Sequence, residues 1–121
     1  MLTQKQFSRL LDIGNAACHA GAVFEARRIF DGLLAFRPES KPALIGKALS
    51  HIVVDDFAEA EGLLKDQVLA KDPGDVEAAA LLGLSCLLGG RVDEGRAALA
   101  GLQDQDGPAG QLARELLSVS A

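Results

Sequence analysis

Three of the four prolines recur at a constant interval, and this period limits what the chain can fold into more than any other feature. Pro38, Pro73 and Pro108 are 35 residues apart (73 − 38 = 35; 108 − 73 = 35). Proline interrupts helices, so one proline per unit marks the end of a helix pair, and self-similarity at this length is typical of repeat proteins. The spacing therefore predicts a stack of helical hairpins.

Small residues keep the same phase as the prolines. Two positions of the unit are always Gly or Ala: Gly14, Ala48 and Gly83, and, 12 residues later, Ala26, Ala60 and Gly95. Small side chains let two helices approach closely, so we expect each pair to mark the crossing inside one hairpin.

Helix signals divide the chain into hairpins. Thr3 and Gln6 fit a capping box at the start of the first helix, and Ser40, Asp75 and one of Asp55 and Asp56 are placed to cap later helices. The predicted fold is all-α, a single domain over residues 1–121. It comprises repeats at about 7–40, 41–75 and 76–109, and a capping helix at about 109–118 that covers the last repeat.

The repeating positions resemble the tetratricopeptide pattern, which spans roughly 34 residues. The matching residues are Leu10, Gly14, Ala17, Ala26, Phe30 and Pro38 in repeat one, Leu44, Ala48, Ala60 and Leu64 in repeat two, and Leu82, Gly83, Gly95 and Leu99 in repeat three. The Trp and Tyr of the pattern are missing. The resemblance implies a solenoid of helical hairpins that binds other proteins.

In such a solenoid the first helix of each hairpin lines the inner surface. The register predicts a partner-binding groove formed by Leu11, Asn15, Ile45, Leu49, Ile52, Ala80, Leu84 and Leu87. All but Asn15 are apolar, which suits the apolar face of an amphipathic helix. Tetratricopeptide domains that grip a carboxylate resemble one another in having basic residues where Leu11, Glu77 and Leu81 stand here. An alternative is that the terminal helix itself occupies the groove.

Charge and hydropathy exclude several classes of partner. The chain has 12 Lys and Arg against 17 Asp and Glu, a net charge of −5, which gives no electrostatic reason to bind nucleic acid or an anionic membrane. No stretch approaches the roughly 20 apolar residues of a membrane span, and the start lacks the apolar core of a signal peptide. With only two cysteines among apolar neighbours, we expect a cytoplasmic protein.

The residues capable of metal or nucleophilic chemistry do not form a recognisable set. Cys18, His19, His51 and Cys86 lack the paired spacing of zinc ligands, and His51 and Cys86 hold the position where the pattern expects a packing residue. We therefore predict packing roles, with no metal, no cofactor and no catalytic site.

Two acidic pairs and one arginine pair also have structural explanations. The acidic pairs Asp55-Asp56 and Asp104/Asp106 lack the loop of a calcium site and are read as helix caps. The pair Arg27-Arg28 is read as part of a solvated outer face.

A narrower resemblance concerns the first repeat. The N-terminal LTQKQF and the stretch GNAACHAGAVFEARRIFDGLLAFRP, residues 14–38, look like the small tetratricopeptide chaperones of bacterial type III secretion systems. That resemblance implies a cytoplasmic chaperone holding an amphipathic or extended segment of a needle- or rod-type export substrate, with or without a second small co-chaperone. The alternatives are a general scaffold that homo-oligomerises or binds another protein, and an enzyme or metal sensor using the Cys and His residues.

Overall fold

The computed structural model describes residues 1–120, and every regular element in that range is helical. The elements are α1 (Gln4–His19), α2 (Val23–Phe36), α3 (Lys41–Ile52), α4 (Phe57–Gly62), the π-helical segment π1 (Leu63–Leu69), α5 (Val76–Leu88), α6 (Val92–Ala100) and α7 (Pro108–Val119). The prediction of an all-α chain built from helical hairpins and a terminal helix is confirmed.

The chain forms two compact units. The first is Met1–Leu63 and the second begins at Leu64. The boundary falls inside the predicted second repeat, 41–75, at the point where α4 gives way to π1. The single domain 1–121 stays a prediction.

Three helix starts are capped as the sequence predicts. Thr3 Oγ1 accepts from the Gln6 amide at 3.1 Å while Gln6 Oε1 accepts from the Thr3 amide at 2.9 Å, which completes the capping box. Ser40 and Asp75 each accept from the amide three residues on, at 3.3 and 2.9 Å. Because these amides have no partner inside the helix, the caps stabilise α1, α3 and α5.

The turn inside each hairpin uses a left-handed residue. Gly21 and Gly90 have φ values of 84° and 87°, which glycine adopts without steric cost. The corresponding residue of the second repeat is Asp55, with φ 63°. Asp is one of the few side chains that tolerate this conformation, so the turn is kept without a glycine.

The acidic pair before α4 does not cap the helix as predicted. Asp56 occupies the N-cap position but makes no capping hydrogen bond. Its Oδ2 instead lies 3.0 Å from Nδ1 of the buried His51. The carboxylate pairs with the His51 ring and not with the helix amides, because a buried polar group without a hydrogen bond costs more free energy than an uncapped, exposed helix end.

The second helix of repeat two is not a continuous α-helix. It is α-helical only to Gly62, and Leu63–Leu69 is π-helical. The Ala70 amide donates to the Lys65 carbonyl, five residues back, at 3.0 Å. Between Ala48 and Pro73 this repeat has one residue more than the first repeat has between Gly14 and Pro38, and the wider π turns lie in that interval.

The core of the first unit is built around one aromatic ring. Phe30 of α2 is fully buried, in a cluster with Phe7, Cys18 and Leu33. A Cβ added to Gly46 would lie 2.5 Å from the Phe30 ring, and one added to Gly14 would lie 2.8 Å from it. The glycines of α1 and α3 therefore leave the space that the ring fills.

Polar contacts also join α2 to α3. Arg27 donates from Nε to Ser50 Oγ at 3.2 Å and from Nη2 to Ser50 O at 3.3 Å, and Lys47 pairs with Asp31 at 2.7 Å. The reading of Arg27 as a solvated residue is therefore wrong, since it is half-buried and binds the neighbouring helix. Arg28 is exposed, as expected.

The core of the second unit brings two backbones together. A Cβ on Gly95 of α6 would lie 2.9 Å from the Gly83 carbonyl oxygen of α5, and a Cβ on Gly83 would lie 2.7 Å from the Leu99 side chain. Leu99 is fully buried with Ala80, Leu102 and Ala113. The prediction that small residues mark close helix crossings is confirmed here and at Gly14.

The terminal helix packs on both helices of the last hairpin. α7 contacts α5 and α6, and its Ala113 is buried in their shared cluster. Arg96 of α6 donates from Nη1 to the Leu117 carbonyl at 2.8 Å and to Ser120 Oγ at 2.7 Å. A cation bonded to the last turn complements the partial negative charge of a helix C-terminus, so α6 fixes the end of α7.

Candidate functional site

The predicted groove residues fall into two groups by exposure. Ile45, Ile52 and Ala80 are buried, at 6%, 3% and 1% relative exposure. They therefore have almost no surface to offer a partner in this conformation. The other five are half-buried: Leu11, Asn15, Leu49, Leu84 and Leu87. Their role in binding stays a prediction, and only this second group can contribute contact area directly.

The terminal helix covers part of the face predicted for the third repeat. Ala80 of α5 belongs to the same buried cluster as Ala113 of α7, and Leu87 packs against that cluster. Leu84 lies outside the cluster and remains half-buried. The alternative considered from the sequence, in which the last helix occupies this face, therefore holds for Ala80.

A pocket of about 640 Å³ opens on the first unit where α1 meets the start of α3. Phe7 and Leu11 line it from α1, and Pro38 and Pro42 from the chain around the α3 N-terminus. Of the predicted groove residues, Leu11 alone is among its lining residues. The walls are mainly apolar, with Gln4, Arg37, Glu39 and Ser40 as the polar contributors.

Arg37 is held in place beside this pocket. Its Cζ lies 4.4 Å from the centroid of the Phe7 ring and 5.6 Å from that of Phe36. Its Nη1 donates to Gln4 Oε1 at 2.6 Å. Stacking on aromatic rings and this hydrogen bond fix the guanidinium, so the first pocket has a positioned cation at its edge.

A second pocket, of about 350 Å³, lies in the second unit between the start of α5 and the chain leading into α7. Its lining is apolar except for two carboxylates: Val76, Glu77, Ala80, Leu81, Asp106, Pro108, Ala109 and Leu112. The interpretation of Asp106 as a helix cap is wrong. Gly107 occupies the N-cap position of α7, and no side chain caps that helix.

The formal charge is distributed unevenly between the units. The first unit has seven Lys and Arg against eight Asp and Glu, a formal charge of −1. The second has five against nine, a formal charge of −4. Most of the acidic balance of the chain therefore belongs to the unit whose pocket is lined by Glu77 and Asp106.

The cysteines and His51 are packed inside the protein. Cys18 and Cys86 form no disulfide and are 3% and 2% exposed, and His51 is buried beside Asp56. Burial raises the pKa of the Cys18 thiol, an effect that the nearby Arg27 charge partly opposes. A neutral, enclosed thiol is a poor nucleophile, so these positions fit packing rather than chemistry.

Within residues 1–120, no cluster of three or more His, Cys, Asp or Glu side chains is arranged to hold a metal ion. In the same range, no helix combines the length and the apolar character needed to cross a bilayer.

Comparison with known families decides how the repeated hairpins are classified. A family model described as tetratricopeptide repeat matches residues 54–118, which is 65 of the 121 residues. The chain belongs to the tetratricopeptide repeat family. The comparison with curated proteins finds no match, and the comparison with solved structures finds none.

Tetratricopeptide repeats are scaffolds for protein–protein interaction and are generally not enzymes. The matched range contains α4, π1, α5, α6 and all of α7 except its last residue. The helix pairs, small crossing residues and terminal helix described above are therefore parts of a protein-binding framework.

Sequence reasoning missed Arg37 and misread Asp106. Arg37 could have been noticed because it precedes Pro38, whereas the residues that precede Pro73 and Pro108 are Asp72 and Gly107. A cation directly before the proline in one repeat only is not required by the shared fold. Asp106 gave no such signal, because an acidic residue beside a glycine before a helix has the pattern of a cap.

Proposed function

We propose that this protein binds an amphipathic segment of a partner protein through the apolar faces of its first helices. The observation that carries the proposal is the partial exposure of Leu49 on α3 and of Leu84 and Leu87 on α5. Aliphatic surface left accessible after folding is available for burial by a partner, and an amphipathic helix supplies anchors at matching intervals.

The finer proposal is a cytoplasmic chaperone of a type III secretion substrate. Its support is the resemblance of residues 14–38 and of the N-terminal segment to that group of chaperones, together with the acidic balance and the single terminal helix. In this role the protein holds a needle- or rod-type subunit and prevents its polymerisation before export.

A second candidate is a scaffold that pairs with another copy of itself. Phe24, at the start of α2, is 76% exposed, and Val53 and Val54, at the end of α3, are 48% and 49% exposed. Large apolar side chains at such exposure favour an interface at this end of the first unit. Sedimentation of the wild type and of Phe24→Asp tests this candidate. Self-association through this surface requires the wild type to sediment as a larger species than the variant.

The decisive test identifies the partner that copurifies from the native host and then measures its binding to four variants. Leu49→Asp and Leu84→Asp place a charge on the proposed binding faces, and each is expected to weaken binding by about 2 kcal/mol or more, the scale of an interface hot spot. Val92→Asp is the matched control, because it makes the same kind of change at an exposed apolar residue elsewhere in the second unit, and Phe24→Asp makes that change on the alternative surface of the first unit.

Each variant must first show a helical circular-dichroism spectrum and a cooperative melt. Partner binding that survives both Leu variants but is lost in Phe24→Asp contradicts the proposal. It supports the alternative surface that contains Phe24, Val53 and Val54. A partner that is not an export substrate contradicts the secretion role and leaves general protein binding in place.

A further inference from the structure

The pocket of the second unit combines an aliphatic floor with a negatively charged edge. Its volume of about 350 Å³ is at the small end of the roughly 300–1,000 Å³ range of ligand pockets. Val76, Leu81 and Leu112 contribute aliphatic side chains to the lining. The chemistry of this floor suits an aliphatic side chain rather than a polar ligand.

The charges at its edge are not neutralised by the protein. Glu77 and Asp106 are both exposed, and neither carboxylate has an ion pair or hydrogen bond with any group in residues 1–120. Arg114, the basic residue of α7, donates instead to the carbonyls of Gln103 and Gln105, at 2.8 and 3.1 Å. The two carboxylates therefore remain available to a ligand.

We propose that this pocket accepts an aliphatic side chain from a peptide segment in which Lys or Arg residues flank that side chain. The floor buries the aliphatic group, and Glu77 and Asp106 attract the flanking cations. The formal charge of −4 on this unit favours approach of a basic segment and disfavours an acidic one. This inference rests on the proposed protein-binding function and specifies the chemistry of the partner.

The long stems of Lys and Arg strengthen the match. Their methylene groups pack along apolar surface while the charged end reaches polar groups at the edge. A segment of this kind can therefore contact the floor and the carboxylates at the same time. A segment with Glu or Asp at the flanking positions brings like charges together beside Glu77 and Asp106.

The first experiment compares two dye-labelled synthetic peptides on the full-length protein. One is an amphipathic peptide of Leu and Lys, and the other has every Lys replaced by Glu. Fluorescence anisotropy is expected to detect binding of the Leu–Lys peptide only. Amide chemical shifts of the ¹⁵N-labelled protein should change around Val76, Ala80 and Ala109, which locates the peptide at this pocket.

The second experiment removes the two charges at the edge without changing side-chain size. The double variant Glu77→Gln/Asp106→Asn is expected to weaken binding of the Leu–Lys peptide about fivefold, as for the loss of two partly exposed ion pairs. The control double variant, Asp93→Asn/Glu115→Gln, changes the net charge of the same unit equally. Both control residues are exposed and lie outside the pocket, and the control is expected to change affinity less than about twofold.

Three results overturn the inference: equal affinity for the two peptides, equal loss in the two double variants, or chemical-shift changes that exclude the pocket residues. They do not affect the proposed function, which the Leu49→Asp comparison with the native partner tests separately. Conversely, native-partner binding that tolerates Leu49→Asp and Leu84→Asp contradicts the proposed function even where the Leu–Lys peptide occupies this pocket.

Discussion

In the first unit the crossing helices enclose an aromatic ring, whereas in the second they bring one backbone against another. Phe30 fills the space that Gly14 and Gly46 leave, and Gly95 faces the Gly83 carbonyl directly. Both solutions satisfy the same repeat pattern of small residues. The difference teaches that a small residue at a crossing serves two purposes, making room for a partner's side chain or allowing main chains to meet.

The two pockets differ in a parallel way. The first has a positioned guanidinium, Arg37, stacked on Phe7, and the second has two carboxylates without partners, Glu77 and Asp106. Since the repeat pattern constrains packing positions but not these edge residues, the units can share a fold and present different charged groups to a ligand.

The largest expected effect comes from placing a charge at the crossing in either unit. Ala60→Asp in the first unit and Gly95→Asp in the second are each expected to cost about 3 kcal/mol or more, because both sites are buried and a charge there must be desolvated. Thermal denaturation followed by circular dichroism measures the loss.

The exposed neighbours Ala58 and Ala97 provide the controls for these two changes. Ala58→Asp and Ala97→Asp should alter the free energy of unfolding by less than about 0.5 kcal/mol. A buried variant that melts like its control would show that the crossing has been placed at the wrong position in that unit.

A smaller loss of stability distinguishes a crossing limited by an aromatic ring from a crossing limited by backbone contact. Gly46→Ala should cost about 1–3 kcal/mol, since its Cβ would lie 2.5 Å from the Phe30 ring. In a Phe30→Leu background the same change should cost much less, because the ring is no longer there. A double-mutant cycle from urea denaturation gives the coupling energy, expected between about 0.5 and 3 kcal/mol.

The second unit supplies the contrasting case for this cycle. Gly95→Ala places a Cβ 2.9 Å from the Gly83 carbonyl oxygen, so shortening a nearby side chain by Leu87→Ala should not restore stability. If Leu87→Ala restored all of the lost stability, the Leu87 side chain and not the backbone would limit how closely the helices approach. The Cγ of Leu87 lies 3.0 Å from the Cβ that would be added to Gly95.

The smallest expected effect is a gain in the first unit. Gly32 of α2 is exposed, and an added Cβ would meet no atom within 4 Å, so Gly32→Ala should stabilise the protein by about 0.4–1 kcal/mol. Gly21→Ala is the control, because Gly21 has φ 84° and alanine is strained there. The two variants should move the melting temperature in opposite directions.

Much of the fold could be predicted because periodic positions repeat a physical requirement. Ala26, Gly14 and Gly83 recur where helices cross, and Ser40 and Asp75 recur where helices begin. Each was recognised because one mechanism explains it in every repeat. Gly21 and Pro38 are sequence signals that delimit α2, Val23–Phe36, on both sides.

The failures concern residues whose partners are not local in sequence. Asp56 has the pattern of a cap, but the buried His51 competes for its carboxylate. Arg27 has the pattern of a surface residue, but Ser50 on the next helix binds it. The exposure of the predicted groove residues depends on packing from several elements, so helical spacing alone could not separate the buried Ile45 from the half-buried Leu49.

The π-helical segment Leu63–Leu69 bears on how tandem arrays change over generations. A deletion or insertion of one residue inside a straight helix rotates the positions that follow it in that helix by about 100°. A wider turn takes up an extra residue locally, inside the helix in which it occurs. A repeat of unequal length is therefore expected to keep its own helix pairing, which makes this segment a tolerant position for a change in length of one residue.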